Sequence, residues 1–372
     1  MSLLYKLHNI CTITIHKSLL TNKEEHIMKK YLAIILIIGV ISLLFNSCDD
    51  NKKSKPSPYP IKTFKTGQIA SYADGDDGDL QIGVAWPEIR FTDNNDGTIT
   101  DNLTGLMWEQ VPDTTAKTWA NALTYANNST LASYNDWRLP NRNEIMSLHN
   151  FSEYRNDMWL NGQGFTGIQF DYYWTSTTFA GNTVRVQIFN LGVSTAYFFA
   201  EPKTNTQHAL ICRNSSSKIM KTGQITSYAD GDDGDLQMGV TWPASRFTDK
   251  GDGTVIDNLT DLMWQKTPDN TDKDWSTSLT YANDSNLAGY NDWRLPNYYE
   301  LASLYNAEEI TQSTWLNNNG FSGIEASYWT STNNALGPQM ISFIFSNVNS
   351  ITWSSDPTTI LNMGAIIVRD AQ

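Results

Sequence analysis

The sequence predicts an α+β chain of two tandem domains, each with two helices followed by an antiparallel β meander. Three observations carry that reading. Residues 65–148 align without a gap to residues 221–304 at an offset of 156, with about 58 of 84 positions identical. In each copy two stretches space their apolar residues as helices do, and the last third alternates as strands do. Of 372 residues 40% are hydrophobic and 17% charged, with 13 Trp and 17 Tyr, which is material for packed cores and excludes wholesale disorder.

The N-terminus reads as an address. From Met28 the sequence runs MKKYLAIILIIGVISLLFNSCDD, with Lys29 and Lys30 ahead of an apolar stretch from Tyr31 to Phe45. That stretch is short for a membrane span, which needs about 20 residues, and suits a signal-peptide core. Ser47-Cys48 at its end resembles a bacterial lipobox, so residues 28–47 are expected to be a lipoprotein signal and Cys48 the lipidated residue. Residues 1–27 precede a signal that works from the extreme N-terminus and are read as a gene-model extension. Residues 48–61, rich in Lys, Ser and Pro, read as a solvated tether.

The two domains follow as 62–215 and 218–372, joined at the polar run Asn214-Ser-Ser-Ser-Lys218. In the first, 74–79 is a Gly/Asp loop, and 90–108 alternates apolar pieces with Asp-Gly and Asp-Asn turns, a hairpin pattern. Trp119, Leu123 and Ala126 share one face of a helix over 118–127. Pro140, with Glu144, Ile145 and Leu148, predicts a second helix with Pro in its first turn. Residues 184–189 and 194–199, separated by a turn at 190–192, predict a hairpin, and 210–213 a closing strand. A repeat this long is a domain duplication, since solenoid units are far shorter.

Net charge is −13. Residues 1–61 hold 8 basic against 4 acidic side chains, 62–215 hold 10 against 16, and 218–372 hold 8 against 19. Both folded parts would repel a phosphate backbone, so nucleic acid is not an expected partner.

The ordered series R-F-T-D-x-x-D-G-T, D-N-L-T-x-L-M-W, N-D-W-R-L-P-N and Y-W-T-S-T, present in both halves, resembles the C-terminal domain family of the Legionella collagen-like adhesin. The resemblance covers roughly 65–213 and 221–370 and implies a C-type lectin-like fold and a surface-exposed binding module. R-L-P-x-x-x-E at Arg138–Glu144 and Arg294–Glu300 is also similar to an element of formylglycine-generating-type domains in that superfamily. The adhesin's domain acts on sulfated glycosaminoglycans, a ligand that wants clustered Lys and Arg. These acidic halves depart from that pattern, so a neutral glycan or a protein surface is the expected partner.

Four Asp within six residues, Asp74, Asp76, Asp77 and Asp79, recur as Asp230, Asp232, Asp233 and Asp235. Such a loop could wrap Ca²⁺, which takes six to eight oxygens, or could simply be a solvated acidic turn. Arg138 with Glu144, and Arg294 with Glu300, are read as structural pairs that orient the second helix. Most Trp occupy patterns that predict burial; Trp159 and Trp315, beside N-G-x-G-F and N-N-N-G-F loops, and the unrepeated Trp353 are the candidate ligand-binding aromatics. The ligand surface is expected there, in the divergent last third, and not at the Asp loops.

Nothing points to an enzyme. His149 and His208 have no counterparts in the second copy, and Cys212 aligns with Val368 and reads as a core residue. No nucleophile with a His partner, phosphate loop or zinc spacing occurs, although paired carboxylates of glycoside cleavage leave no linear signature. Two classes remain: a lipid-anchored adhesion or recognition protein at the outer membrane or cell surface, and a structural envelope protein with no soluble ligand.

Overall fold

The computed structural model describes residues 60–193, 198–325, 327–333, 335, 340–344, 353–354 and 363–371, of which 340–344 and 353–354 by backbone alone. Residues 1–59, with the expected signal at 28–47, Cys48 and most of the expected tether, lie outside the described residues. No helix among the described residues is long and apolar enough to cross a membrane.

Each copy begins with an extended arm. Residues 61–84 return on themselves through a parallel bridge of Phe64 with Val84, and a one-turn helix α1 (Asp77–Leu80) lies between. The meander β1 (Phe91–Asp93), β2 (Thr98–Asp101) and β3 (Met107–Glu109) follows. Helices α2 (Trp119–Asn127), α3 (Arg142–Met146) and α4 (Asn156–Gly162) come next. A second meander, β4 (Tyr172–Thr178), β5 (Arg185–Asn190) and β6 (Phe198–Pro202), leads to β7 (Cys212–Arg213), which pairs antiparallel with β3. The sheets are therefore β1-β2-β3-β7 and β4-β5-β6.

The second copy repeats this. Its elements are α5 (Asp233–Leu236), β8 (Phe247–Asp249), β9 (Thr254–Asp257), β10 (Leu262–Gln265), α6 (Trp275–Asn283), α7 (Tyr298–Ser303) and α8 (Gln312–Asn318). Then come β11 (Ser327–Asn333), β12 (Met340–Ile344), β13 (Trp353–Ser354) and β14 (Val368–Asp370). Arm 218–240 carries the matching bridge, Met220 with Val240.

The expected α+β character and antiparallel pairing are present, with three differences. The expected loop at 74–79 runs into the one-turn helix α1, capped by Asp76. A further helix, α4, forms from the helix-poor run N-D-M-W-L-N-G because Leu160 is fully buried and Asn156 ties its first turn to the backbone of Asn150 and Glu153. Pro140 lies before α3 and not in its first turn. The N-cap is Asn141, whose side chain accepts from Glu144 N while Glu144 accepts from Asn141 N.

Four apolar cores result among the described residues, the smallest of Ile61, Val240 and Leu259. Trp119, Leu123, Trp137, Trp174 and Ile188 form one inside the first copy, and Trp275, Leu279, Trp293, Trp329 and Ile367 form its equal in the second. The largest cluster belongs to both: Trp108, Phe151, Phe165 and Phe189 of the first pack in one body with Trp264, Tyr298, Tyr299 and Tyr328 of the second. Both copies accordingly fall within one compact unit.

Candidate functional site

The most heavily repeated residues, the Asp loops and the R-L-P-N-x-x-E runs, meet each other across the two copies. Asp76 is the N-cap of α1: its Oδ1 accepts from Asp79 N at 2.8 Å, and its Oδ2 accepts from Tyr72 N at 2.7 Å and from Ala73 N. Asp77 is buried one residue on, and its Oδ2 accepts two hydroxyls, Thr66 at 2.6 Å and Thr332 at 2.7 Å. Thr332 stands on β11 of the other copy, where α1 packs. Gln68 Oε1 accepts from Asn333 N at 2.6 Å beside it.

The second loop does the same in return. Asp233 Oδ2 accepts from Thr222 at 2.6 Å and from Thr177 on β4 at 2.7 Å, and Gln224 exchanges two hydrogen bonds with the Thr178 backbone. Arm 61–84 thus completes the second copy, and arm 218–240 completes the first. Gly75 and Gly231 hold φ of +77° and +78° where a Cβ would meet the Asn283 and Asn127 amides of the opposite copy at 2.6 Å, so these positions need glycine on both counts.

Burial dominates the electrostatics of the loops. It pushes the Asp77 carboxyl up to about 6 and that of Asp233 up to about 7, against the lowering pull of the threonine hydroxyls. The eight Asp considered as Ca²⁺ ligands therefore divide. Asp76, Asp77, Asp232 and Asp233 are buried and accept protein N–H and O–H groups, whereas Asp74, Asp79, Asp230 and Asp235 are exposed. Among the described residues no three His, Cys, Asp or Glu converge as a metal-binding group. In its hydrogen bonding the loop is a latch between the two copies.

R-L-P-N-x-x-E supplies the other face of the latch. Arg138 pairs bidentately with Glu144, both contacts at 2.7 Å, and its Nη2 also donates to Asn214 O at 2.7 Å. Glu144, so held, fixes the N-cap Asn141, whose amide donates to Met238 O of the second arm at 3.2 Å. Arg294 and Glu300 repeat the pair at 2.6 and 2.7 Å, and Asn297 donates to Ile82 O of the first arm at 3.1 Å. The structural reading of both pairs holds.

The Trp residues expected at a ligand surface are half-buried in stacks. Trp159 lies 5.7 Å from Trp86 and 5.8 Å from Phe91 between ring centroids, with the Arg90 guanidinium 4.1 Å over Trp86. Trp315 repeats this against Trp242 and Phe247, with Arg246 over Trp242. Trp353 lies on β13 paired with Ile341, and its side chain is outside the described residues. Cys212 is fully buried, with its thiol pushed up by burial, and His149 is buried against Phe151 at 4.6 Å.

Sequence reasoning missed Thr177, Thr332, Gln68 and Gln224. The available signal was that Thr and Asp are kept at matched positions of both copies, Thr177/Thr332 and Asp77/Asp233.

A family model described as the Lcl C-terminal domain matches residues 97–213 and 253–364. The match bears out the resemblance carried by the motifs and places it in two tandem copies, with both arms outside the matched ranges. No curated protein matches the chain.

Proposed function

The chain belongs to the Lcl C-terminal domain family, and from that membership we propose an adhesin-like protein, lipid-anchored through Cys48 at the bacterial cell surface, that recognises a neutral glycan or a protein without catalysis. The observation that carries the reading is the family match over both copies. Their reciprocal latching supports it, because two copies fixed in one body present their loops as a single surface to a displayed ligand. The acidic charge of both halves favours neutral partners over sulfated polymers.

Two measurements test this. Cells expressing the Cys48→Ser chain are fractionated: release into the aqueous fraction, or a stalled precursor, is expected, and unchanged membrane retention with an intact N-terminus removes the anchor. Beads carrying the full chain are then applied to mucin, extracellular-matrix and polysaccharide coats. Attachment to at least one is expected; attachment to none removes the adhesion reading.

A further inference from the structure

We propose that a neutral saccharide binds in a cleft built jointly by the N-D-W-R loop of the first copy and the Asp loop of the second. This rests on the recognition reading above and gives it a location. The cleft has a volume of about 520 Å³, within the roughly 300–1,000 Å³ of small-ligand sites. It opens where the end of α2, residues 135–138 and the exit from β7 face residues 231–238. Neither copy forms it alone.

Its chemistry selects the ligand. Asn135 and Asn214 are exposed, and each offers an amide donor and a carbonyl acceptor on one planar group, while the Asn127 amide donates to Asp230 O at 3.3 Å and closes one end of the cleft. Ser215 adds a hydroxyl and Asp235 a carboxylate. Planar groups of this kind suit the paired hydroxyls of a sugar ring, and Leu236 and Met238 give its C–H face an apolar wall. Positive charge is not on offer. Arg138 is the cation in the lining, and its guanidinium is engaged by Glu144 and Asn214 O. Asp136 is held in turn by Arg213 at 2.7 and 3.1 Å. A sulfated or phosphorylated ligand would meet carboxylates without a free partner cation.

The related position in the second copy is different. Asn214 and Ser215 become Asp370 and Ala371, so an amide and a hydroxyl give way to a carboxylate and a methyl, and Arg294 lies 3.7 Å from Asp370. The inference therefore assigns one saccharide site to the chain, at the first cleft.

The test uses the full chain on a printed panel of neutral hexose and N-acetylhexosamine oligosaccharides, with heparin as the anionic arm. The expected result is binding to a neutral oligosaccharide that changes little between about 0.05 and 0.3 M salt. Asn135→Ala and Asp235→Ala should each weaken it about tenfold, while Asn291→Ala, the counterpart of Asn135, leaves it unchanged. Thermal melts confirm folding, and Asn135→Ala, an exposed change, keeps the test valid if Asp235→Ala melts early. Binding to heparin alone, no binding to any neutral oligosaccharide, or equal binding by all variants overturns the cleft. Bead attachment that survives Asn135→Ala and Asp235→Ala would leave the adhesion reading standing while removing this site.

Discussion

Thr332 donates its hydroxyl to Asp77 at 2.7 Å across 255 positions of sequence, and Thr177 does the same to Asp233 at 2.7 Å. Each contact carries an arm of one copy onto the central sheet of the other. The densest acidic loops of the chain thus serve to join the copies, which explains why they persist in both while the meander edges diverge.

Removing the latch carboxylates tests this. Asp77 and Asp233 have folded-state values raised by burial above the ordinary 3.8, to about 6 and about 7. The folded state therefore holds these protons to higher pH than the unfolded chain. Their contribution is full below about 3.8 and is lost as pH rises through about 6 for Asp77 and about 7 for Asp233. Asp77→Asn with Asp233→Asn keeps a carbonyl acceptor for the hydroxyls and should flatten that fall in urea titrations between pH 4.5 and 8. Asp233→Ala leaves two buried hydroxyl O–H donors without their acceptor and should cost roughly 2–3 kcal/mol. A wild-type pH slope in the Asn double variant would remove the carboxyls as its source.

Glu109 and Gln265 offer an internal control. Burial pushes Glu109 up to about 7, and it accepts from Tyr125 Oη at 2.5 Å and from Ile211 N at 2.8 Å. Its counterpart Gln265 donates instead to Tyr281 Oη at 2.7 Å, so the site already tolerates a neutral amide. The folded value again exceeds the unfolded 4.5, so stability from Glu109 is lost as pH rises through about 7. Glu109→Gln should match wild type at pH 4.5 and exceed it at pH 8, read by chemical denaturation. A variant less stable than wild type at pH 8 would show that the carboxylate is needed in its charged form.

Glu144 holds a buried guanidinium as well as an N-cap and, through Asn141, the second arm. Glu144→Ala leaves Arg138 charged and unpaired in the interior and should cost roughly 3–5 kcal/mol. Glu300→Ala should cost a similar amount through Arg294. Loss of under about 1 kcal/mol at either site, a value ordinary for exposed pairs, would show the pair to be solvated.

What the sequence disclosed was local. Thr118 caps α2 where the helical spacing starts, and Asn141 with Glu144 closes a capping box three residues apart. Pairing of β1 with β2 and of β8 with β9 follows from Asp-Gly turns that the chain spells out, Asp96-Gly97 and Asp252-Gly253, where Thr98 donates to Asp96 and Thr254 to Asp252. The latch was not legible, because Asp77 and Thr332 are joined by no periodicity and the loop alone reads first as an exposed acidic turn, then as a cation loop. The partial cover of Trp159 was hidden for a related reason: Trp86 and Phe91, far away in sequence, lie against its ring.

Cooperativity is the broadest consequence. The expected boundaries at 62–215 and 218–372 assign each arm to the copy it precedes, whereas arm 61–84 docks on the second copy and arm 218–240 on the first. Phe151 and Tyr298 lie 5.1 Å apart between ring centroids in the shared core, and Tyr299 donates to the backbone carbonyls of Met146 and His149. Opening one copy would therefore strip donors and apolar cover from the other, and calorimetry of the full chain should show one transition with equal van't Hoff and calorimetric enthalpies. Thr332→Val removes one donor to Asp77 and should cost about 1–2 kcal/mol, lowering that single transition by about 2–4 °C. Hydrogen exchange should lose protection in parallel in β4–β5 and in β11–β12. Two separate transitions, with only the second moved by Thr332→Val, would mean that each copy folds by itself and that the latch merely decorates their contact.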